Sequence, residues 1–488
     1  MSCSFKHTAL LLCIPLSILD AHTPEEQIEH DLAMALADPA DATHTAVQDG
    51  NWTASGTWGG TVPGASARVH IPAGITVTVD GIVPDTLRTI RLDGTLDFAV
   101  DVNTGLKLDT LVGSVGSLLQ VGTADNPVQT QAEAKITVED IGGIEITDTL
   151  SPDYDPSRVG LGLVIHGQFV AHGMERESYA SYTGANADDD VIRLDRLPAN
   201  WEIGDEIVLT NARRDATGDE LRSIADLDRA NHTLTLDTPL AGDHHTPRHN
   251  KAGLNLRLHI ANLTRNIIFE TADNGNRDFI EEVATGGSPA SAEEFSRRGH
   301  IMVMHSNKAD IRYARFEELG RTNKHENTLQ SADIAMPGTV VNSPAANPIA
   351  RYPLHFHRAG SGSDLAVVEG CVVRGSPGWG FVNHSSSVSI RNNVAYEVDG
   401  GAFISEAGDE VGDFTNNIAV KMHGKTYGRK NARQDVRRGK CECQAGAVRE
   451  QRGRLLDTVQ NGAHPPEHRL RVLRLRHPAL ERTDRRCQ

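Results

Sequence analysis

Short runs in which apolar and polar residues alternate recur along the first 420 residues, with glycine or asparagine between them. Ile75 to Gly81 alternates in this way, and Ile90 to Phe98 repeats the alternation around Gly94. Ser117 to Val121 and Gly162 to Val170 continue it. Because successive side chains of a strand point to opposite faces, this pattern predicts half-buried strands joined by tight turns. The sequence therefore predicts an all-β fold.

A repeat appears between about residues 365 and 424. Gly370, Asn392 and Asn416 occupy matching positions that are 22 and 24 residues apart, each followed by a β-branched run. A period this short predicts the coils of a right-handed parallel β-helix over residues 261–424, with asparagine at the turns. Stacked asparagine side chains can bond one another from coil to coil. One face of such a helix would form a long shallow groove, which suits a polymer chain.

The segment from Arg351 to Gly360 carries the strongest candidate chemistry. His355 and His357 are two residues apart, so in a strand their side chains point to the same face, with Arg351 and Arg358 nearby. An imidazole can act as a general base, a metal ligand or a hydrogen-bond donor to a sugar. We predict catalytic roles for the two histidines and substrate binding for the two arginines. The alternative is a buried polar step whose rings are satisfied by the backbone.

A second candidate region follows Trp201, within a predicted small β module at residues 176–260. Its arginines could bind a uronate, and its carboxylates could activate water or hold calcium. The candidates there are the substrate-binding Arg213 and Arg214 and the catalytic Asp205, Asp215 and Asp219, the three carboxylates having equal standing. The alternative is a solvated surface loop.

Charge is unevenly distributed along the chain. Residues 1–420 hold 30 Lys and Arg against 58 Asp and Glu, whereas residues 421–488 hold 18 against 7. The acidic body argues against nucleic acid as a partner. Cys371 is the only cysteine between residues 22 and 420, so no internal disulfide is expected there.

The two ends differ from the body. Lys6 and the apolar run from Ala9 to Leu19 predict a signal peptide at residues 1–21, with a retained anchor as the alternative. We expect an acidic spacer with one helix at residues 22–48, and no stable membrane span. Residues 425–488 lose the coil pattern and become arginine-rich, which favours a frameshift or truncation over a basic tail that docks on acidic polymers.

Ordered blocks across residues 50–420 resemble a known family. They include Trp52 to Gly64, Val69 to Asp80, Trp201 to Val208, Gly299 to Met304 and Arg351 to Gly360. Together they resemble the G8-domain proteins of the cell-migration-inducing and transmembrane hyaluronidase-like family. The resemblance implies a G8 domain, at residues 49–175, before the β-helix. It also implies a secreted, cell-surface or periplasmic protein that meets an anionic polysaccharide, with hyaluronan the leading candidate.

Two functions compete at this point. In the first, the protein depolymerises a hyaluronan-like chain: arginines hold the uronates, a carboxylate or an imidazole moves the proton, and calcium is a candidate cofactor. Relatives in the family are thought to depend on Arg and Asp residues just beyond the G8 domain, and the sequence leaves hydrolase and lyase chemistry open. In the second, the protein is a glycan-binding module that does not cut. Loss of function through the C-terminal truncation is a third possibility.

Overall fold

The structure is a computed structural model that describes residues 24–212, 218–246, 256–272, 295–324, 328, 347–360 and 364–422. Strands dominate these residues, and most of them pair in parallel. The all-β fold and the parallel β-helix predicted from the sequence are confirmed. The predicted signal peptide, the residues after 422, and Arg213, Arg214 and Asp215 lie outside the described residues.

The described chain begins with the helix α1 (Pro24–Ala35), and short 3-10 turns follow at Pro39–Asp41 and Ser55–Trp58. The first strands are β1 (His44–Thr45), β2 (Gly50–Asn51), β3 (Arg68–Ile71), β4 (Thr76–Val79), β5 (Ile82–Leu92), β6 (Thr95–Phe98), β7 (Thr104–Gly113), β8 (Leu118–Val121), β9 (Ala134–Val138), β10 (Gly162–Ile165) and β11 (Gln168–His172). The middle strands are β12 (Tyr179–Tyr182), β13 (Gly184–Ala185), β14 (Val191–Arg193), β15 (Glu206–Leu209), β16 (Glu220–Asp228), β17 (Thr233–Leu236), β18 (His244–His245) and β19 (Leu258–Asn262). The last strands are β20 (Ile267–Thr271), β21 (Ile301–Met304), β22 (Ala309–Arg312), β23 (Ala314–Glu317), β24 (Leu354–His357), β25 (Ala366–Glu369), β26 (Val372–Ser376), β27 (Phe381–His384), β28 (Ser387–Arg391), β29 (Val394–Val398), β30 (Phe403–Ser405), β31 (Val411–Thr415) and β32 (Ile418–Met422).

The strands wind into a solenoid with three faces. The first face runs through β3, the C-terminal parts of β5 and β7, and then β10, β21, β24, β27 and β30. The second face runs through the N-terminal parts of β5 and β7, and then β9, β20, β23, β26, β29 and β32. The third face runs from β2 through β4, β6, β8, β11, β22, β25 and β28 to β31. The predicted G8 region and the later coils therefore form one continuous solenoid.

The interior of the solenoid is a single apolar column. Alternate residues of each strand point inward, such as Leu163, Ile301 and Phe356, which are fully buried in one core cluster. Rings stack along this column, and Phe381 and Phe403 lie parallel with centroids 5.2 Å apart. Burial of these side chains is the main term that stabilises the coils, at about 1.5–3 kcal/mol for each large apolar residue.

The repeat predicted from the sequence is the corner between the third and second faces. Gly370, Asn392 and Asn416 all have left-handed φ angles of 64°, 57° and 53°, a conformation that glycine and asparagine adopt more readily than other residues. Register between coils follows the predicted spacings, because Val372 pairs with Val394 and Val394 with Ile418. The matching residues form the turn, as expected.

The asparagine ladder lies one position further along the chain than the matching residues. Asn393 accepts the backbone N–H of Cys371 at 2.8 Å, and its amide donates to the side-chain oxygen of Asn417 at 3.0 Å and to the carbonyl of Val368 at 3.1 Å. Asn417 donates in turn to the carbonyl of Ile390 at 2.8 Å. The side chains of Asn393 and Asn417 therefore hydrogen-bond successive coils to each other inside the corner.

An antiparallel module is inserted between β11 and β20. Its six-stranded sheet has the order β12-β19-β15-β16-β17-β14 and its own core around Trp201. It packs against the outer side of the second face through Val208, which contacts the cluster that contains Val394 and Tyr396. Glu206 also accepts hydrogen bonds from Arg374 at 3.0 Å and Arg315 at 3.1 Å.

The helix α1 crosses the outer side of the first face. Ala33 and the following Leu36 are buried in a cluster with Val164, Met302 and Val382, which come from three different coils. The segment predicted as a spacer does contain one helix, but that helix packs on the solenoid and is part of its fold. Among the residues that the structure describes, no helix has the length and apolar character to cross a membrane.

Candidate functional site

Three histidines come together on the outer side of the first face. β24 and β27 pair in register so that His357 lies beside His384, and His355 is two residues before His357 on the same side of its strand. Their ring centroids are 5.2 Å apart for His355 and His357, and 4.8 Å for His357 and His384. The two imidazoles stand side by side, as their spacing predicts, and a third from the next coil joins them. These three residues are called the histidine cluster below.

The histidine cluster is covered rather than exposed. His355 has no exposed surface, and His357 is 7% exposed. Glu29 of this helix accepts from His357 Nε2 at 3.1 Å, and Arg358 lies 3.5 Å from the same carboxylate oxygen. His355 is therefore the buried polar step that was the alternative prediction, with its Nδ1 3.0 Å from the carbonyl of Ala350. His357 contacts Glu29 of α1, which lies 328 residues earlier in the chain.

Burial lowers the pKa of all three histidines, which favours their neutral form. Burial lowers the pKa of His355 and of His357 well below the usual imidazole value, and neighbouring His384 adds to the effect in both cases. Burial also lowers the pKa of His384. Glu406, whose carboxylate is 3.5 Å from His384 Nδ1, has its pKa raised to about 7 by burial. Neutral imidazoles keep a lone pair, so they can accept a proton or bind a metal ion.

A cleft of about 300 Å³ adjoins the cluster at the corner between the first and third faces. Its walls come from four consecutive coils, represented by Gly116, His166, His305 and Gly360, with Lys308 at the edge. Coils are stacked about 4.8 Å apart, so the cleft follows the solenoid axis for about 14 Å. His305 connects the cleft to the histidine cluster, because its backbone N–H donates to the carbonyl of His357 at 3.4 Å.

The two arginines of the first candidate region have different surroundings. Arg351 is 2% exposed, and its guanidinium donates to the backbone carbonyls of Arg158 at 2.8 Å and of Ile349 at 3.0 Å. Burial lowers its pKa to about 10. Arg351 therefore holds a loop in place and has no surface for a substrate, contrary to the expectation from sequence. Arg358 is partly exposed beside the cleft, and its role in binding stays a prediction.

The structure places the second candidate region on the other side of the solenoid. Asp205 is 3% exposed, and it accepts from Asn262 at 2.7 Å and pairs with Arg176. Asp219 accepts the backbone N–H of Asn211 at 2.8 Å, and burial raises its pKa. Both belong to the inserted module, which packs on the second face. The structure therefore does not bring them to the histidine cluster, whereas Asp215, Arg213 and Arg214 lie outside the described residues.

Three residues of the site were not predicted from the sequence: His384, Glu406 and Glu29. His384 lies 27 residues after His357, outside the 22-residue spacing, because the connection between those coils is longer. Glu406 lies in the turn after β30, and Glu29 on a helix at the other end of the chain. A strand alignment that allowed variable turns would have found His384, but only tertiary contacts reveal the two carboxylates.

Comparison with known proteins gives two family matches. Residues 57–182 match the G8 domain, and residues 343–457 match the family described as CEMIP beta-helix. The second match continues past residue 424. Together they cover the first coils of the solenoid and its histidine-bearing coils.

Curated relatives share low identity over most of the chain. Fibrocystin-L of Mus musculus is 24% identical over 390 residues, which cover 77% of this chain and 9% of that protein. A G8 domain-containing protein of Dictyostelium discoideum is 24% identical over 392 residues, 76% of this chain and 23% of the relative. The chain thus spans less than a quarter of either relative. Among solved structures, the Gp54 tailspike of Acinetobacter baumannii bacteriophage AP22, in complex with capsular saccharide, is 10% identical with a TM-score of 0.18, over 72% of this chain and 45% of that one.

The fold and the family matches together define the class of protein. The molecule is a three-faced parallel β-helix whose opening coils are a G8 domain and whose later coils carry a buried histidine cluster. More particularly, both matched regions and the fibrocystin-like relatives support a G8/CEMIP-like family for this chain.

Proposed function

We propose that this protein binds an anionic polysaccharide outside the cell, in the cleft beside the histidine cluster. The observation that carries the proposal is the cleft itself, which crosses four stacked coils. A polymer with a repeating unit meets a similar set of backbone and side-chain groups at every coil of a solenoid. This repetition supports a chain-like ligand over a compact one.

The lining residues favour a hydroxylated and negatively charged chain. Gln168, Ser306 and Asn307 offer side-chain hydrogen bonds, and Gly360 and Gly116 let a ligand approach the backbone. Lys308 is exposed at the edge, and Arg358 immediately precedes two lining residues. Two cations in this position suit the carboxylates of a uronate. Hyaluronan is the leading candidate, because the sequence resembles the hyaluronidase-like branch of the family.

The test is direct binding of size-defined glycans to the purified chain. Hyaluronan oligosaccharides should bind, neutral dextran should not, and the Lys308→Glu/Arg358→Glu double variant should weaken hyaluronan binding by at least about tenfold, as expected for two lost charge-assisted contacts. Lys107→Glu reverses an exposed lysine on the second face and is the matched control. Unchanged hyaluronan affinity in the double variant would remove the cleft from the proposal.

Depolymerisation is the second candidate function, and the histidine cluster next to the cleft favours it. Imidazoles and a carboxylate at that place supply the groups that general acid–base cleavage needs. The experiment follows hyaluronan chain length with and without a chelator, and the absorbance of unsaturated uronate separates a lyase from a hydrolase. Shortening that is lost in the His355→Ala/His357→Ala double variant supports cleavage. Retention of hyaluronan without shortening supports a binding module.

A further inference from the structure

The C-terminal end of the solenoid leaves its apolar column open. Phe414 of β31 pairs in register with Ile390 of the coil before it, but Phe414 is 40% exposed whereas Ile390 is fully buried. Phe403 of β30 is likewise only partly buried, although its partner Phe381 is fully buried. Val411 adds a third apolar side chain, which is 52% exposed. Within the residues that the structure describes, the core is therefore uncovered at this end.

The N-terminal end of the same column is covered by two tryptophans. The 3-10 turn Ser55–Trp58 follows the first strand of the third face, and Trp58 Nε1 donates to the carbonyl of Trp52 at 2.8 Å. Their rings are 4.9 Å apart, and both residues are buried in the core cluster of the solenoid. Solenoids need such caps, because an uncovered terminal coil exposes both apolar side chains and strand edges.

The last coil also presents the edges of three strands. Among the described strands, β30, β31 and β32 stand at the ends of their sheets and each pairs with one neighbour. Val411 donates its backbone N–H to Ser386 at 3.0 Å. Because backbone groups alternate in direction along a parallel strand, the N–H groups of Gly412 and Phe414 point away from the preceding coil. An edge of this kind is a template on which a further segment can pair.

The last coil is acidic as well as apolar. Residues 401–420 contain four carboxylates and no Lys or Arg. Asp409 and Asp413 are both exposed, on either side of Val411. The surface formed by Asp409, Val411, Asp413 and Phe414 is called the terminal surface below. A segment that covers it should combine positive charge with a backbone that can pair along a strand.

The segment that follows β32 carries the opposite charge. Residues 425–440 contain seven Lys and Arg against one Asp, and they begin three residues after Met422, the end of β32. Sixteen residues in an extended form reach about 50 Å, whereas β31 and β32, with five residues each, span about 17 Å. The segment is therefore long enough to cross the end of the coil. A frameshift would explain why the coil pattern stops, but it leaves the terminal surface to be covered by the chain that follows.

We propose that residues 425–440 bind in an extended form across the terminal surface of the same chain, where their cations pair with Asp409 and Asp413 and their backbone covers Phe414. Exposed ion pairs contribute little one at a time, so the binding needs several of them together with burial of the apolar side chains. The inference is independent of the proposed glycan function, because the residues that line the cleft belong to earlier coils. A second copy of the chain is the rival occupant.

The test measures amide hydrogen exchange, resolved to single residues, in the full chain at low concentration. Arg429→Glu/Lys430→Glu/Arg433→Glu should speed exchange at Gly412 and Phe414 by about tenfold, because three ion pairs with the terminal surface are lost at once. Arg469→Glu/Arg471→Glu/Arg474→Glu makes the same change of charge further along the chain and is the matched control, in which exchange at the two amides should stay as in the wild type.

Salt gives a second measurement on the wild type, which decides the matter even if the triple variant does not fold. Raising the ionic strength to about 1 M shortens the screening length to about 3 Å, so it should speed exchange at Phe414 but not at Val164 in the middle of the solenoid. Exchange at Phe414 that responds neither to salt nor to the triple variant would overturn the proposal. Slow exchange that depends on protein concentration, with a light-scattering mass of two chains, would also overturn it and assign the terminal surface to a second copy.

Discussion

Two sets of polar side chains lie in neighbouring coils of the same solenoid and illustrate two uses of a polar ladder. At the corner of the second and third faces, Asn393 bonds to a backbone N–H, to a carbonyl and to Asn417. On the first face, the histidine cluster bonds outward to Ala350 and Glu29 and leaves nitrogens facing inward. The asparagines satisfy one another, so they stabilise the fold. The histidines bond to one another only in part: His357 Nδ1 lies 3.1 Å from His384 Nδ1, but His355 Nε2 makes no hydrogen bond within the residues that the structure describes.

The largest expected effect comes from breaking the asparagine ladder. Asn393→Ala removes a fully buried amide and leaves the N–H of Cys371, the carbonyl of Val368 and the side chain of Asn417 with lost partners. We expect the free energy of unfolding to fall by about 3 kcal/mol, because unsatisfied buried groups cost about 1–3 kcal/mol each. Urea denaturation measures it.

The neighbouring residue provides the control for that variant. Asn392→Gly keeps the left-handed corner, with φ at 57°, and loses only a 3.2 Å bond to Glu369. We expect a change below about 1 kcal/mol. Equal losses in the two variants would contradict the assignment of the ladder to Asn393.

The smallest effect concerns a buried carboxyl group outside both sets. Burial raises the pKa of Glu318 to about 7 despite its pairing with Arg298, so the folded chain holds a proton there that the unfolded chain releases near its usual pKa. Stability from this group is therefore complete at low pH and is lost as pH rises from about 4.5 through 7. Glu318→Gln should reduce this loss between pH 5 and pH 7.5 by about 2 kcal/mol. Asn393→Ala should leave the pH dependence unchanged, since an amide does not titrate.

Local pattern was enough to predict the solenoid but not its surface. The corner residues Gly370, Asn392 and Asn416 are predictable because one backbone conformation demands the same residue types in every coil. The pairing of His355 with His357 is predictable because strands alternate strictly. The burial of Arg351 is not predictable, since its guanidinium bonds to the carbonyl of Arg158, 193 residues earlier in the chain. The contact of His357 with Glu29 of α1 is not predictable for the same reason. The same limit hides Glu29 and Glu406 from any reading based on spacing.

The long reach of α1 also has a consequence for biosynthesis. The helix emerges from the ribosome early, but its partners Met302, His357 and Val382 are translated several hundred residues later. Chains fold from the N-terminal end as they are made. The first coils, including Val164, offer the helix part of its packing surface early. Its contacts with Met302, His357 and Val382 can form only after those residues are made, so the completion of its docking is a late event in maturation. A polypeptide halted before Val382 would carry the earlier coils but would lack part of the surface on which α1 packs.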